Sequence, residues 1–188
     1  MSRRASTLEE WAGLPDDVSG EWVDGALEGE EVPNVFHELA VTWLVARLVF
    51  HLEKRGGVVL GSEHKYAVAT RRGRKPDISV FLTAARRPKG RERLTSIPPD
   101  IAIEVITPTP RDARRDRLTK AREYSRFGIR WYWLIDPALH TVEILELDPK
   151  RRHYLQVAAA TDGRFAVPGI RGLKLDLDAL WRYLGAEP

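Results

Sequence analysis

Cysteine is absent from all 188 residues, which excludes both a disulfide framework and a thiolate zinc site. The histidines, His37, His51, His64, His140 and His153, show none of the close-pair spacing of imidazole zinc sites. No GxxxxGK[ST] phosphate loop and no Gly-x-Ser-x-Gly elbow occurs, which sets aside P-loop nucleotide chemistry and the serine-hydrolase arrangement. No run of about eighteen apolar residues is free of charge, so no membrane span is expected. Met1-Ser2-Arg3-Arg4 leads into Leu8-Glu9-Glu10-Trp11 and not into an apolar secretory core, and a cytoplasmic location is the expectation.

What the chain does have is a globular composition, with 43% hydrophobic residues and 6 Trp. At this length it reads as a lead-in over residues 1–20 and a single domain over residues 21–188. The net charge of +3 hides an asymmetry. Residues 1–34 carry nine acids against Arg3 and Arg4, residues 71–93 carry nine bases against Asp77 and Glu92, and residues 111–130 carry eight bases against Asp112, Asp116 and Glu123. Basic clusters of this kind suit a polyanion, whose phosphates attract Lys and Arg, although each alone also suits solvated surface.

Taken along the chain, residues 21–28 predict a hairpin turning at Asp24-Gly25. Asn34 is placed to cap a helix over residues 35–55 that is apolar almost all round and ends at Gly56-Gly57. Such a helix is buried on several sides or meets a second subunit. Residues 58–70 give one or two strands, 71–75 a basic turn and 83–99 a basic loop. Thr109 and Pro110, with Asp112 behind them, predict the start of a helix that Gly128 ends, with Leu118, Ala121 and Tyr124 or Ser125 facing inward. A hairpin over residues 130–147 follows. Its Trp131, Trp133 and Ile135 share one face and Tyr132, Leu134 and Asp136 the other, a surface suited to core or to a dimer contact. Weaker strands at 154–159 and 164–167 precede a closing helix over 176–184, with Leu177, Leu180, Trp181 and Leu184 inward.

Two carboxylates interrupt this pattern. Ile78, Val80 and Leu82 alternate with Asp77, Ser79 and Phe81, and Ile101, Ile103 and Val105 alternate with Ala102, Glu104 and Ile106. Each carboxylate thus emerges from an apolar strand, where an unpaired charge is costly. If the strands are neighbours with both groups on one face, a hard cation such as Mg²⁺ explains why both stay ionised.

Pro76-Asp77, a spacer and Glu104-Val105-Ile106 resemble the PD-(D/E)XK nuclease signature. Glu104-Val105-Ile106-Thr107-Pro108-Thr109, Lys120-x-x-x-Tyr124, Gly128-Ile129 and Trp131-Tyr132-Trp133-Leu134-Ile135-Asp136-Pro137 are similar to the Uma-two family of restriction-endonuclease-like proteins, a bacterial group long catalogued as a domain of unknown function. Glu21-Trp22-Val23-Asp24-Gly25 and His37 match its N-terminal pattern, so the resemblance runs over residues 21–184. It implies an α/β restriction-endonuclease-like fold, a mixed central sheet flanked by helices with the aromatic hairpin added. It also implies a hydrolase that cuts DNA with Mg²⁺ or Mn²⁺. Asp77 and Glu104 would hold the metal, with the Val105 carbonyl as a further ligand. The signature's lysine slot holds Ile106, and the resemblance assigns the cation to Lys120, with Lys75 as the other candidate. His37 and Glu38 are possible accessories. Arg71, Arg72, Arg74, Arg114 and Arg115 are the candidate phosphate contacts. Cutting both strands suggests a homodimer meeting through the first long helix or the aromatic hairpin. A nuclease-fold DNA-binding module without catalysis, and a purely structural domain, stay open as alternatives.

Overall fold

The computed structural model describes residues 5–15, 18–29, 34–109 and 114–185. A short helix α1 (Leu8–Ala12) precedes the hairpin β1 (Glu21–Val23) and β2 (Ala26–Glu28). Helix α2 (Val35–Leu52) is followed by β3 (Val58–Leu60), β4 (Lys65–Ala69), β5 (Arg72–Arg74), β6 (Ile78–Phe81), β7 (Leu94–Thr95) and β8 (Ile101–Val105). A π-helical segment, Arg115–Lys120, runs directly into α3 (Ala121–Phe127). Then come β9 (Trp131–Asp136), β10 (Thr141–Asp148), β11 (His153–Ala160), the pair β12 (Arg164–Ala166) and β13 (Lys174–Asp176), and α4 (Leu177–Leu184).

The central sheet has the order β11-β10-β9-β8-β6-β3, antiparallel throughout except for β8 beside β9. That one parallel pair is joined by the connection carrying α3, since parallel neighbours need a crossover. Strands covered on both faces read as continuous apolar runs, and every residue of β8 and β9 is buried. Their side chains sort by alternation. Ile101, Ile103, Val105, Trp131, Trp133 and Ile135 pack with Leu44 and Leu48 of α2 and Leu177 and Leu180 of α4. Ala102, Ile106, Tyr132 and Leu134 pack on the opposite side with Tyr124 of α3. Burying a side chain such as Leu44 or Leu48 contributes about 1.5–3 kcal/mol, so the α2 face supplies much of the driving force for folding. Because β9 lies between β8 and β10 with its aromatics buried, the aromatic hairpin is core and not the dimer surface that was one expectation.

Helix α2 begins where Asn34 accepts a hydrogen bond from the His37 N–H at 2.9 Å. By length and composition alone the stretch Val35–Arg55 is apolar enough to cross a bilayer. Its inner residues Ala40, Trp43, Leu44, Leu48 and Leu52 instead lie in the core against the sheet. Val35, Phe36, Val49 and Phe50 remain exposed.

A second sheet, β2-β1-β5-β4-β7, stands beside the first. Asp24 (φ 51°) and Gly25 (φ 91°) form its tight turn, a conformation that Asp and Gly tolerate. The described residues of the lead-in, 5–15 and 18–20, are packed against this sheet. The Trp11 indole donates to the Gly20 carbonyl at 3.0 Å, and that of Trp22 donates to the Ala5 carbonyl at 3.2 Å. Trp11 lies so close to Gly73 that a Cβ there would come within 2.4 Å of the ring, so β5 needs glycine at that point.

Thr109 is described, but Pro110 and Asp112 of the helix start expected there lie in residues 110–113, outside the described ones. Leu118, expected inward, is 59% exposed. The inner face of this segment is Asp116, Lys120, Tyr124 and Ser125, which are buried.

Candidate active site

Strand register brings the two carboxylates together. Ile78 pairs with Ile103 across β6 and β8, so one step further Asp77 stands opposite Glu104 on the same face of the sheet. Asp77 Oδ2 accepts from the Val105 N–H at 2.7 Å and lies 3.1 Å from His37 Nε2. His37 reaches it from the first turn of α2, the turn that the Asn34 cap fixes. Its other ring nitrogen, Nδ1, is 3.6 Å from a carboxylate oxygen of Glu38, whose side chain is 64% exposed.

Glu104 is held from the helix that follows. Lys120 Nζ donates to its Oε2 at 2.8 Å and the Tyr124 hydroxyl to its Oε1 at 2.7 Å. Residues four apart share a helix face, and this is the spacing of the family's lysine–tyrosine pair. The Lys120 ammonium also lies 3.1 Å from Asp116 Oδ1. The first pairing is that of a site lysine and the second that of residues four apart on a helix. Both are present, and neither is on the surface. The Tyr132 hydroxyl donates to the Asp116 carbonyl at 3.0 Å and ties the π-helical segment to the sheet.

Behind them sits Glu21 of β1. Its Oε2 accepts from Arg74 Nη1 at 2.6 Å and its Oε1 from the Lys75 N–H at 2.9 Å. Arg74 is 1% exposed, and its remaining nitrogens donate to Glu123 at 2.6 and 3.0 Å. It is therefore a buried clamp and not a phosphate contact, which corrects its place among the candidate phosphate contacts. Arg71 is exposed and bonds the Asp24 carbonyl at 2.7 Å, while Arg72 pairs with Asp24 at 2.7 Å and Glu123 at 3.2 Å. Arg114 is exposed, and Arg115 faces the site with its Nε 3.8 Å from Asp116.

These groups line a cavity of about 280 Å³. Its walls carry Glu21, Glu38, Glu63, Asp77, Glu104 and Asp116 against Lys75, Arg115 and Lys120, with His37 between. Lys75 Nζ is 3.6 Å from Glu63, so both candidate lysines reach the same space. The excess of negative charge shows in the titration of its members. Burial pushes the Glu104 carboxyl well above the usual range; Lys120 opposes this, while Asp77, Asp116 and Glu21 reinforce it. Burial also acts to raise Asp77, but the bond and charge of His37, with Lys120 and the Val105 N–H, hold it below its ordinary value. Burial disfavours charge on Lys120, yet Glu104, Glu21, Asp116 and Asp77 outweigh it and raise its pKa well above normal. The surrounding carboxylates thus favour the charged form of Lys120 at the centre of the site.

Among the described residues, no group of three or more His, Cys, Asp or Glu side chains is disposed to hold a metal unaided. The donors that are present are hard oxygens, the kind that Mg²⁺ prefers, and Mg²⁺ commonly takes only one or two carboxylates and completes its shell with water or phosphate. A carboxylate offers about four lone-pair sites. Glu104 uses two of them on Lys120 and Tyr124, and Asp77 Oδ1 carries no hydrogen bond among the described residues. The residues fit a divalent ion on that chemistry. Val105 lines the same cavity, and the contact it makes with Asp77 is through its amide.

Glu21 and Asp116 belong to the site and were not among the candidates. The one sequence signal for Glu21 was its place in the Glu-Trp-Val-Asp-Gly pattern, and for Asp116 its spacing of four before Lys120.

The sequence profile of the Uma2 family, described as "Putative restriction endonuclease", matches residues 5–178. Among solved structures, the chain is similar to one described as a putative nuclease belonging to DUF820 from Anabaena variabilis. Identity is 21% and the TM-score 0.75, over 95% of this chain and 98% of that one. It is also similar to the type IIG restriction endonuclease BpuSI, with 14% identity and a TM-score of 0.43, over 82% of this chain and 17% of that one. No curated protein matches. The first likeness supports the restriction-endonuclease-like α/β fold expected from the sequence. With the profile matching over most of its length, the chain belongs to the Uma2 family.

Proposed function

We propose that this protein is a metal-dependent endonuclease that hydrolyses DNA phosphodiester bonds in the cavity between β6, β8 and the π-helical segment. The observation that carries the reading is the opposition of Asp77 and Glu104 across adjacent strands, with Lys120 brought onto Glu104 from the next helix. The family's description as a restriction endonuclease supports it.

Asp77 and Glu104 would hold Mg²⁺ or Mn²⁺, with Val105 beside them. Bound there, the ion would supply Lewis acidity toward a phosphoryl oxygen and a water molecule. His37 orients Asp77 and keeps it ionised. Tyr124 fixes the Glu104 carboxylate from behind. Lys120 presents a compact ammonium to charge developing on the phosphate, with Lys75 as a second cation lining the same cavity. Ile106, in the lysine slot of the signature, is a buried core residue, so the helix supplies the cation in its place. Arg71, Arg72, Arg114 and Arg115, with the exposed Arg86, Arg87, Lys89, Arg91 and Arg93, would grip the phosphate backbone. Two copies meeting across the exposed outer residues of α2, Val35, Phe36, Val49 and Phe50, would provide the second site that a double-strand cut needs.

The test is a supercoiled plasmid with Mg²⁺ or Mn²⁺. The protein should nick or linearise it, and Asp77→Asn and Glu104→Gln should each lose that activity while their far-ultraviolet circular dichroism is unchanged. DNA retention without cleavage in either metal would replace the endonuclease with a binding module.

A further inference from the structure

Lys120 engages its two carboxylates unequally. It donates to Glu104 Oε2 at 2.8 Å. Its ammonium also forms an ion pair with Asp116 Oδ1 at 3.1 Å, without the hydrogen-bond alignment it has on Glu104, and Arg115 Nε lies 3.8 Å from that same oxygen. Asp116 is only 4% exposed. A buried carboxylate oxygen paired with an ammonium but poorly aligned to it keeps acceptor capacity in reserve, whereas such groups are usually fully satisfied. The backbone around it is also unusual. Asp116 and Lys120 both lie on the π-helical segment, a winding that is rare and concentrated at functional sites. The Tyr132 hydroxyl on the Asp116 carbonyl holds that winding in place.

Both oxygens already lie beside the one ammonium, at 2.8 and 3.1 Å, so only a small shift separates a seat on the first from a seat on the second. On Glu104, the ammonium neutralises the charge that a divalent ion would neutralise. An ammonium expelled from Glu104 into a buried space with no acceptor would be strongly unfavourable. Asp116 supplies that acceptor.

We propose that Lys120 is a two-position cation whose second seat is Asp116: resting on Glu104 it stands in for the divalent ion, and moving to Asp116 it opens Glu104 Oε2 as a ligand. Asp116 is then a positioning residue that sets metal affinity through Lys120. This rests on the metal-dependent reading above.

Calorimetric titration with Mn²⁺, without DNA, separates the possibilities. Asp116→Asn keeps the shape and removes the charged seat, and should weaken Mn²⁺ binding roughly ten- to a hundredfold. Lys120→Met removes the competing ammonium and should tighten it. In the Lys120→Met background, Asp116→Asn should change affinity by less than about twofold, since nothing is left to seat. Equal weakening in both backgrounds would make Asp116 a ligand and overturn the proposal, as would a single Asp116→Asn variant that binds like the parent. If the parent protein binds no Mn²⁺, the metal-dependent reading and this inference fall together; if it binds and only the variants fail to respond, the inference falls alone. Should Asp116→Asn not fold, the unmutated protein carries the test through NMR of isotopically labelled lysine side chains. The Lys120 signal, assigned by its loss in Lys120→Met, should shift on adding Mg²⁺, and a signal that does not move would overturn the proposal.

Discussion

On one face of the six-stranded sheet, Leu44, Leu48, Ile103, Trp133 and Leu180 close against one another. On the other, Glu104, Lys120 and Asp116 are also buried, with Arg74 and Glu21 close by. Ile103 and Glu104 are adjacent in the chain, and alternation alone sends them to these two environments. The first face gains stability from every methylene it removes from water. The second loses solvation with each charge and recovers it only through partners. The contrast teaches that burial here means two different things: apolar packing, which the second face also has around Tyr132 and Leu134, holds the fold together, and the charged cluster is carried by that packing.

The largest stability effect should come from breaking one partnership on the charged face. Arg74→Met strands the Glu21 carboxylate and should cost about 3–5 kcal/mol by urea unfolding. Glu123 keeps Arg72 at 3.2 Å, so adding Glu21→Gln to Arg74→Met should restore most of the loss. If the double variant is no more stable than the single, Arg74 acts by filling space and the two faces are energetically alike.

The apolar face should respond differently. Leu44→Ala leaves a cavity and should cost about 2–5 kcal/mol. No polar second substitution can restore it, because what was lost is packing and not a partner. Plasmid cleavage per folded molecule, measured well below the unfolding midpoint, should match that of the parent. A fall in cleavage without unfolding would show that α2 passes strain to His37, and that the faces are less independent than their chemistry.

Sequence alone reached the apolar face more fully than the charged one. Alternation in 131–136 sorted Trp131, Trp133 and Ile135 from Tyr132 and Leu134 as the structure has them. The closing helix shows the same four inward residues, with Asp176 as its cap at 2.9 Å from the Ala179 N–H. Such patterns are local, and burial follows hydrophobicity. The co-location of Asp77, Glu104 and Lys120 was also legible, through strand alternation and the family's motif order. What failed did so where polar residues face inward. Leu118 was taken for core because it is apolar, but the inner side of its segment faces Glu104, so Asp116 and Lys120 turn in and Leu118 turns out. Arg74 was counted among the phosphate contacts because its partners Glu21 and Glu123 lie 53 and 49 residues away, beyond anything a charge run can show.

The smallest effect tests the seam between the faces. His37 sits on α2, the helix of the apolar face, but its ring reaches Asp77 at 3.1 Å. Burial acts to lower its pKa, yet the bond and charge of Asp77, aided by Glu38, raise it above 6.5. A histidine whose folded pKa exceeds its unfolded value binds its proton more tightly when folded. Its contribution to stability is therefore complete below about pH 6.5 and is lost as the pH rises through the folded value. Glu104 and Asp116, also raised, tilt the whole curve in the same direction, so the comparison must be made by difference. Subtracting the urea-unfolding free energies of His37→Asn from those of the parent should give a curve that declines with pH above about 6.5 and then levels. The same subtraction for Leu44→Ala should be flat. A flat curve for His37 would mean that its proton is bound no more tightly in the folded state, leaving Asp77 held by Lys120 and the Val105 amide alone.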